Sequence, residues 1–61
     1  MPLVTIKVVE GRTLEQKRAL VKDITEALVT NFKVDADSVI VDIIEYNKVN
    51  VAKAGKLFVD R

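Results

Sequence analysis

Apolar and polar residues alternate through Leu3–Val9. Val4, Ile6 and Val8 fall on one face, and Leu3, Thr5, Lys7 and Val9 fall on the other. A period of two is the signature of a β-strand, and β-branched residues suit its pleated surface. The first face is purely apolar and should meet a helix. The second is mixed and is open to another subunit. Pro2 has no N–H to give to a sheet, but proline is tolerated as the first residue of a strand. After the turn Glu10-Gly11-Arg12 the period changes. Thr13 and Gln16 have the spacing of a capping box, and Glu15 suits the positive end of a helix dipole. Ala19, Leu20, Ile24, Ala27, Leu28 and Phe32 recur every three or four residues. This spacing predicts a helix over Leu14 to Phe32 with that stripe buried. Lys17, Arg18, Lys22, Asp23 and Glu26 lie mostly away from the stripe and read as a solvated face. Lys22 and Glu26 are four apart, the spacing of a pair that stabilises a helix by about 0.2–0.5 kcal/mol.

Asn31 to Ser38 is a connection. Asp35, Asp37 and Ser38 predict a short helical turn or an Asx turn rather than a metal site, because no further ligands cluster nearby. Val39 to Tyr46 reads as a second strand with both faces largely apolar, as in a strand covered on two sides. Strand, long helix and strand imply a right-handed crossover and a parallel pair. Asn47 to Gly55 should be a loop or tight hairpin, and Lys56 to Asp60 a short last strand. The fold class is therefore α/β (α+β), a single β-α-β unit with a parallel strand pair and a short C-terminal hairpin or strand. One domain spans residues 1–61. Two strands and one helix leave one sheet face bare, a physical argument for a dimer or a larger ring.

Size sharpens that argument. A domain of 61 residues buries only roughly 60% of the surface its unfolded chain exposes. The usual remedies are disulfides, a metal or self-association. The chain has no Cys and no His, so it lacks disulfides, thiolate ligands, and the commonest metal ligand and general base. Hydrophobic residues make up 49% of it, and the surplus belongs between subunits. Net charge is +1 with the signs mixed along the chain. A nucleic-acid binder would show a basic stripe with aromatics for stacking. No apolar run is long enough to cross a membrane. Lys7 and Glu10 break any signal-peptide layout, so a cytoplasmic location is expected.

The candidate chemistry sits at Met1-Pro2. If Met1 is removed, Pro2 carries a free secondary amine in place of an amide nitrogen. An α-amino group titrates at roughly 7.7–8.0, and burial or a nearby cation favours its neutral form. Such an amine takes and returns protons near neutral pH, as a general acid–base must. On the residues alone two plainer readings stay open: Pro2 starts an edge strand, and Arg12 is a surface turn residue.

Several features occur together: Pro2, Glu10-Gly11-Arg12, Glu15-Gln16-Lys17, Ser38-Val39 opening the second strand, Glu45 near its end, Ala54-Gly55-Lys56, and a 61-residue length. With these the chain resembles the 4-oxalocrotonate tautomerase family from end to end. The resemblance implies a cofactor-independent isomerase acting on a small unsaturated 2-oxo or enol carboxylate, with no metal, nucleic acid or membrane involved. It implies that Met1 is lost and that Pro2 shuttles a proton to convert an enol or dienol acid to its keto isomer. Arg12 matches the arginine that binds the substrate carboxylate and polarises the adjacent oxygen. Val9, Ile40 and Val51 match positions at the substrate. The resemblance also implies a homohexamer, a trimer of dimers, with sites built across subunits. Two positions depart from the family pattern. Ile40 stands where a second arginine binds a second carboxylate, and Val51 stands where a loop aromatic makes the site apolar. These favour a monocarboxylate, such as a phenylenolpyruvate-like acid. Lys53 or Lys48 is a candidate for the missing cation. The same departures fit an alternative, a non-catalytic or weakly active oligomeric module that keeps the fold. Water addition to an unsaturated acid needs a carboxylate to activate the water, and the sequence places none clearly.

Overall fold

The computed structural model describes all of residues 1–61. Strand β1 (Leu3–Val9) leads to helix α1 (Leu14–Phe32), a 3₁₀ turn (Ala36–Ser38) and strand β2 (Ile40–Tyr46). A second 3₁₀ turn (Lys48–Asn50), the short strands β3 (Ala52–Lys53) and β4 (Lys56–Leu57) and a last 3₁₀ turn (Phe58–Asp60) follow. β1 and β2 are parallel, with Leu3 opposite Ile40, Ile6 opposite Ile43 and Val9 opposite Tyr46. The α/β architecture, the β-α-β unit and the C-terminal hairpin are those the sequence predicts.

Local chemistry sets the helix start. The Thr13 hydroxyl accepts from the Gln16 N–H at 3.1 Å, and the Gln16 side chain accepts from the Thr13 N–H at 2.9 Å. Both bonds satisfy backbone donors that have no partner inside the helix. At the other end Lys33 adopts a left-handed conformation (φ 58°) and its N–H donates to the Val29 carbonyl at 3.1 Å. The Ala36–Ser38 turn bears out the predicted helical turn, and the Ser38 hydroxyl donates to the Asp35 carbonyl at 2.8 Å. That turn also moves the start of β2 from the expected Val39 to Ile40. The Val39 N–H is drawn back to the Ala36 carbonyl at 3.1 Å, so it is lost to the sheet. The last strand is shorter than expected, because residues from Phe58 on coil into a turn. Ala54 and Gly55 both have positive φ, 52° and 79°. That is the geometry of a two-residue hairpin turn whose twist matches its strands.

The helix presents a different stripe from the one predicted. Ile24 and Leu28 are half-covered, together with Lys17, Val21, Thr25 and Val29. Ala19, Leu20, Ala27 and Phe32 are exposed, Phe32 at 63%. The apolar arc of α1 is wider than two strands can cover, so one flank of it stays in solvent. Thr25 is tolerated on the inner side because its hydroxyl donates to the Val21 carbonyl at 2.7 Å. Lys22 and Glu26 do not pair. The ion pairs are instead Glu15–Arg18 within the helix and Lys17–Glu45 between helix and sheet. The second is favoured by geometry, since Lys17 lies on the sheet side of α1, above the end of β2.

The register gives the sheet two unlike faces. Val4, Ile6, Val8, Val41, Ile43 and Glu45 share the helix side. Leu3, Val9, Ile40, Ile44 and Tyr46 share the open side with Lys7 and a Thr5–Asp42 pair, in which the Thr5 hydroxyl donates to Asp42 at 2.7 Å. Nothing in the chain covers that second face. No residue of the single chain is fully buried, and the molecule measures 43 × 22 × 13 Å. No helix is long and apolar enough to cross a membrane. Replacing Thr13→Ala is expected to cost about 1 kcal/mol by removing one arm of the capping box. The midpoint of denaturant unfolding measures it.

Candidate active site

β1 sets the geometry of every candidate residue. Its seven residues rise about 3.3 Å each and so span about 20 Å. Pro2 lies just before one end of it. The Pro2 ring is half-covered, and its carbonyl accepts from the Ile40 N–H at 2.9 Å. That bond ties the Ile40 backbone to Pro2, while Ile40 itself stands opposite Leu3 on the open face and is 45% exposed. Met1, by contrast, is 87% exposed. The bond that anchors Pro2 uses its oxygen and leaves its nitrogen out of the sheet.

Arg12 lies beyond the other end of β1. Gly11 makes the approach possible, since its φ of 127° is one that L side chains rarely adopt. Arg12 then precedes the helix cap and lines a cleft of about 240 Å³ with Val8, Gln16, Lys17, Leu20 and Ile43. Val8, Ile43 and Leu20 make its apolar walls. Arg12 enters no ion pair, whereas Lys17 holds Glu45 at 2.5 Å. A free guanidinium over an apolar floor can fork onto a carboxylate while the rest of the ligand stays out of water.

The remaining candidates are spread over the same end and beyond it. Val9 closes β1 opposite Tyr46, on the open face and not in the cleft. The 3₁₀ turn Lys48–Asn50 approaches the same end, where the Lys48 N–H donates to Glu10 at 3.5 Å. Val51 follows it, half-covered, with its carbonyl accepting from the Phe58 N–H at 2.8 Å. Lys53 is exposed in the hairpin. A single chain thus brings Pro2 to Ile40, and Arg12 to the cleft, but not Pro2 to Arg12. The sequence reading did not single out the cleft residues Val8, Gln16, Lys17, Leu20 and Ile43 as a site. Lys17 was expected on the solvated face and was marked only within Glu15-Gln16-Lys17, whereas it lies half-covered on the sheet side of α1 and pairs with Glu45.

Comparison with known proteins agrees with this architecture. The family model described as "Tautomerase enzyme" matches residues 2–61. A probable tautomerase of Bradyrhizobium diazoefficiens is 49% identical over 61 residues, covering 100% of this chain and 91% of that protein. The 2-hydroxymuconate tautomerase of Bacillus subtilis is 45% identical over 60 residues, covering 98% of this chain and 97% of its own. A solved heterohexamer 4-oxalocrotonate tautomerase from Chloroflexus aurantiacus superposes with a TM-score of 0.88 at 28% identity, covering 98% of this chain and 97% of that one. With its full β-α-β unit matched and the family model running from Pro2 to its last residue, the chain belongs to the tautomerase family of enzymes and is an isomerase.

Proposed function

We propose that this chain, after loss of Met1, is a cofactor-independent tautomerase in which the Pro2 amine is the general acid–base. In an enol or dienol acid the amine takes the proton of the 2-hydroxyl. The oxygen becomes a carbonyl, the double bond moves along the chain, and the same nitrogen returns the proton to carbon. Charge builds on the oxygen during transfer. Arg12 binds the adjacent carboxylate bidentately and stabilises that charge. The observation that carries this reading is the setting of Pro2. Met1 stands in solvent while the Pro2 ring is held by its carbonyl, so removing Met1 leaves an anchored ring with a free nitrogen.

Pro2 and Arg12 stand at opposite ends of β1, so one site needs them from different copies. The uncovered sheet face, the exposed flank of α1 and the absence of any buried residue support such an assembly. We assign it as a homohexamer, a trimer of dimers, and place Val9, Val51 and Lys53 at the substrate through neighbouring copies. Its unfolding temperature is expected to rise with protein concentration, as mass action requires for a folded oligomer. Calorimetry over a concentration series checks this.

The apolar Ile40, at the position where the family resemblance places a second arginine, supports a monocarboxylate substrate of the phenylenolpyruvate type over a dicarboxylate such as 2-hydroxymuconate. Ile40→Arg is expected to raise kcat/KM for 2-hydroxymuconate at least about tenfold, the worth of one charge-assisted hydrogen bond. It should leave phenylenolpyruvate turnover unimproved. Steady-state kinetics on the two acids reads the difference.

The test of the whole reading combines intact mass with kinetics. The mass should lack one methionine. Pro2→Ala is expected to lower kcat about a hundredfold, the ordinary contribution of a general acid–base. Arg12→Ala should raise KM. A retained Met1, or a Pro2→Ala enzyme as active as the parent, overturns it.

A further inference from the structure

Arg12 is the one cation lining the cleft with no carboxylate partner, although a carboxylate borders it. Glu45 sits directly across the sheet from Val8, which lines the cleft, and on the same helix-facing side. A glutamate there stands at the border of the opening that Arg12 lines. The structure gives that glutamate to Lys17 instead, at 2.5 Å, with both side chains only about a third exposed (28% and 35%). Lys17 itself lines the cleft beside Arg12. Two cations therefore line one small opening, and the one acid paired to either of them is held by Lys17, which leaves Arg12 as the unpaired cation. Gln16 does not compete, because its side-chain oxygen is engaged at the helix cap.

We propose that Lys17 is a positioning residue for the tautomerase site: by holding Glu45 it keeps the Arg12 guanidinium free for the substrate carboxylate. This rests on the reading of Arg12 as the carboxylate-binding group. Lys17 lines the cleft but its charge is held by Glu45, so it is Arg12 that takes the substrate carboxylate. Lys17 acts by removing the internal competitor for Arg12. If Glu45 is released, an Arg12–Glu45 pair forms within the chain and only the unpaired fraction of Arg12 binds substrate. The apparent affinity falls by that fraction.

The experiment is steady-state kinetics of the assembled enzyme on phenylenolpyruvate, with four variants alongside the parent. K17M keeps the apolar stem and removes the charge. It is expected to raise KM about fivefold, the size of a partly exposed ion pair acting as competitor, with kcat unchanged. In K17M/E45Q the competitor is gone and KM should return to the parent value. E45Q alone should leave KM unchanged. An unchanged KM in K17M overturns the proposal. A double variant as impaired as K17M overturns it too, because the pair is then a scaffold. A KM rise in E45Q alone does the same, and that outcome is read without K17M should the latter fail to fold. R12A separates the two levels. If R12A raises KM and K17M does not, Lys17 has no such role while the Arg12 assignment stands. If R12A leaves KM unchanged, the Arg12 assignment itself fails and the proposal falls with it.

Discussion

Two parallel strands joined by one helix must start at the same end of the sheet and finish at the same other end. Everything functional in this chain follows from that constraint. The residue that enters β1 and the residue that leaves it are separated by the full length of the strand. Pro2 enters and Arg12 leaves. That distance, about 20 Å over seven residues, is set by the extended strand itself. The proton-transfer group and the carboxylate-binding group of the proposed reaction are therefore kept apart within the chain. In the proposed reaction the two groups would come from neighbouring copies.

The same constraint explains why the chain carries so much exposed apolar surface. The helix covers one face of the sheet, and the crossover has nothing to place on the other. Leu3, Val9, Ile40, Ile44 and Tyr46 are left on an open face around the Thr5–Asp42 bond. What the single chain holds by itself is local or at the rim. The capping box starts the helix, the 3₁₀ turn brings β2 into register, and Lys17–Glu45 ties helix to strand. Exposed ion pairs of this kind stabilise weakly. Their larger consequence is geometric. The pair joins the sheet side of α1 to β2, and Arg12 in the same cleft has no ion-pair partner.

The helix shows where pattern reading stops. Its ends were legible to the residue, because Thr13, Gln16 and the break after Phe32 are local chemistry. Its inward face was not. The apolar arc of α1 covers well over a quarter-turn, and spacing alone selected Ala19, Leu20, Ala27 and Phe32 as readily as Val21 and Val29. The sheet beneath is only two strands wide, so it covers part of the arc and leaves the rest exposed. β2 shows a smaller failure of the same sort. Val39 continues the strand pattern, but the turn before it claims its N–H.

The sequence by itself determined the elements, their order and the parallel pairing, since period, caps and the length of the crossover are written in neighbouring residues. It also marked Pro2 and Arg12, but through the family resemblance, since the residues alone read equally as a strand start and a turn arginine. Only the tertiary structure decided the distances among them. The register of β1 against β2 placed Ile40 opposite Leu3 and Glu45 opposite Val8, and a one-residue slip would have turned both side chains to the other face. The rotation of α1 gave Glu45 to Lys17 and left Arg12 unpaired. Those are contacts between residues far apart along the chain, set by packing two elements against each other, and no local pattern encodes them.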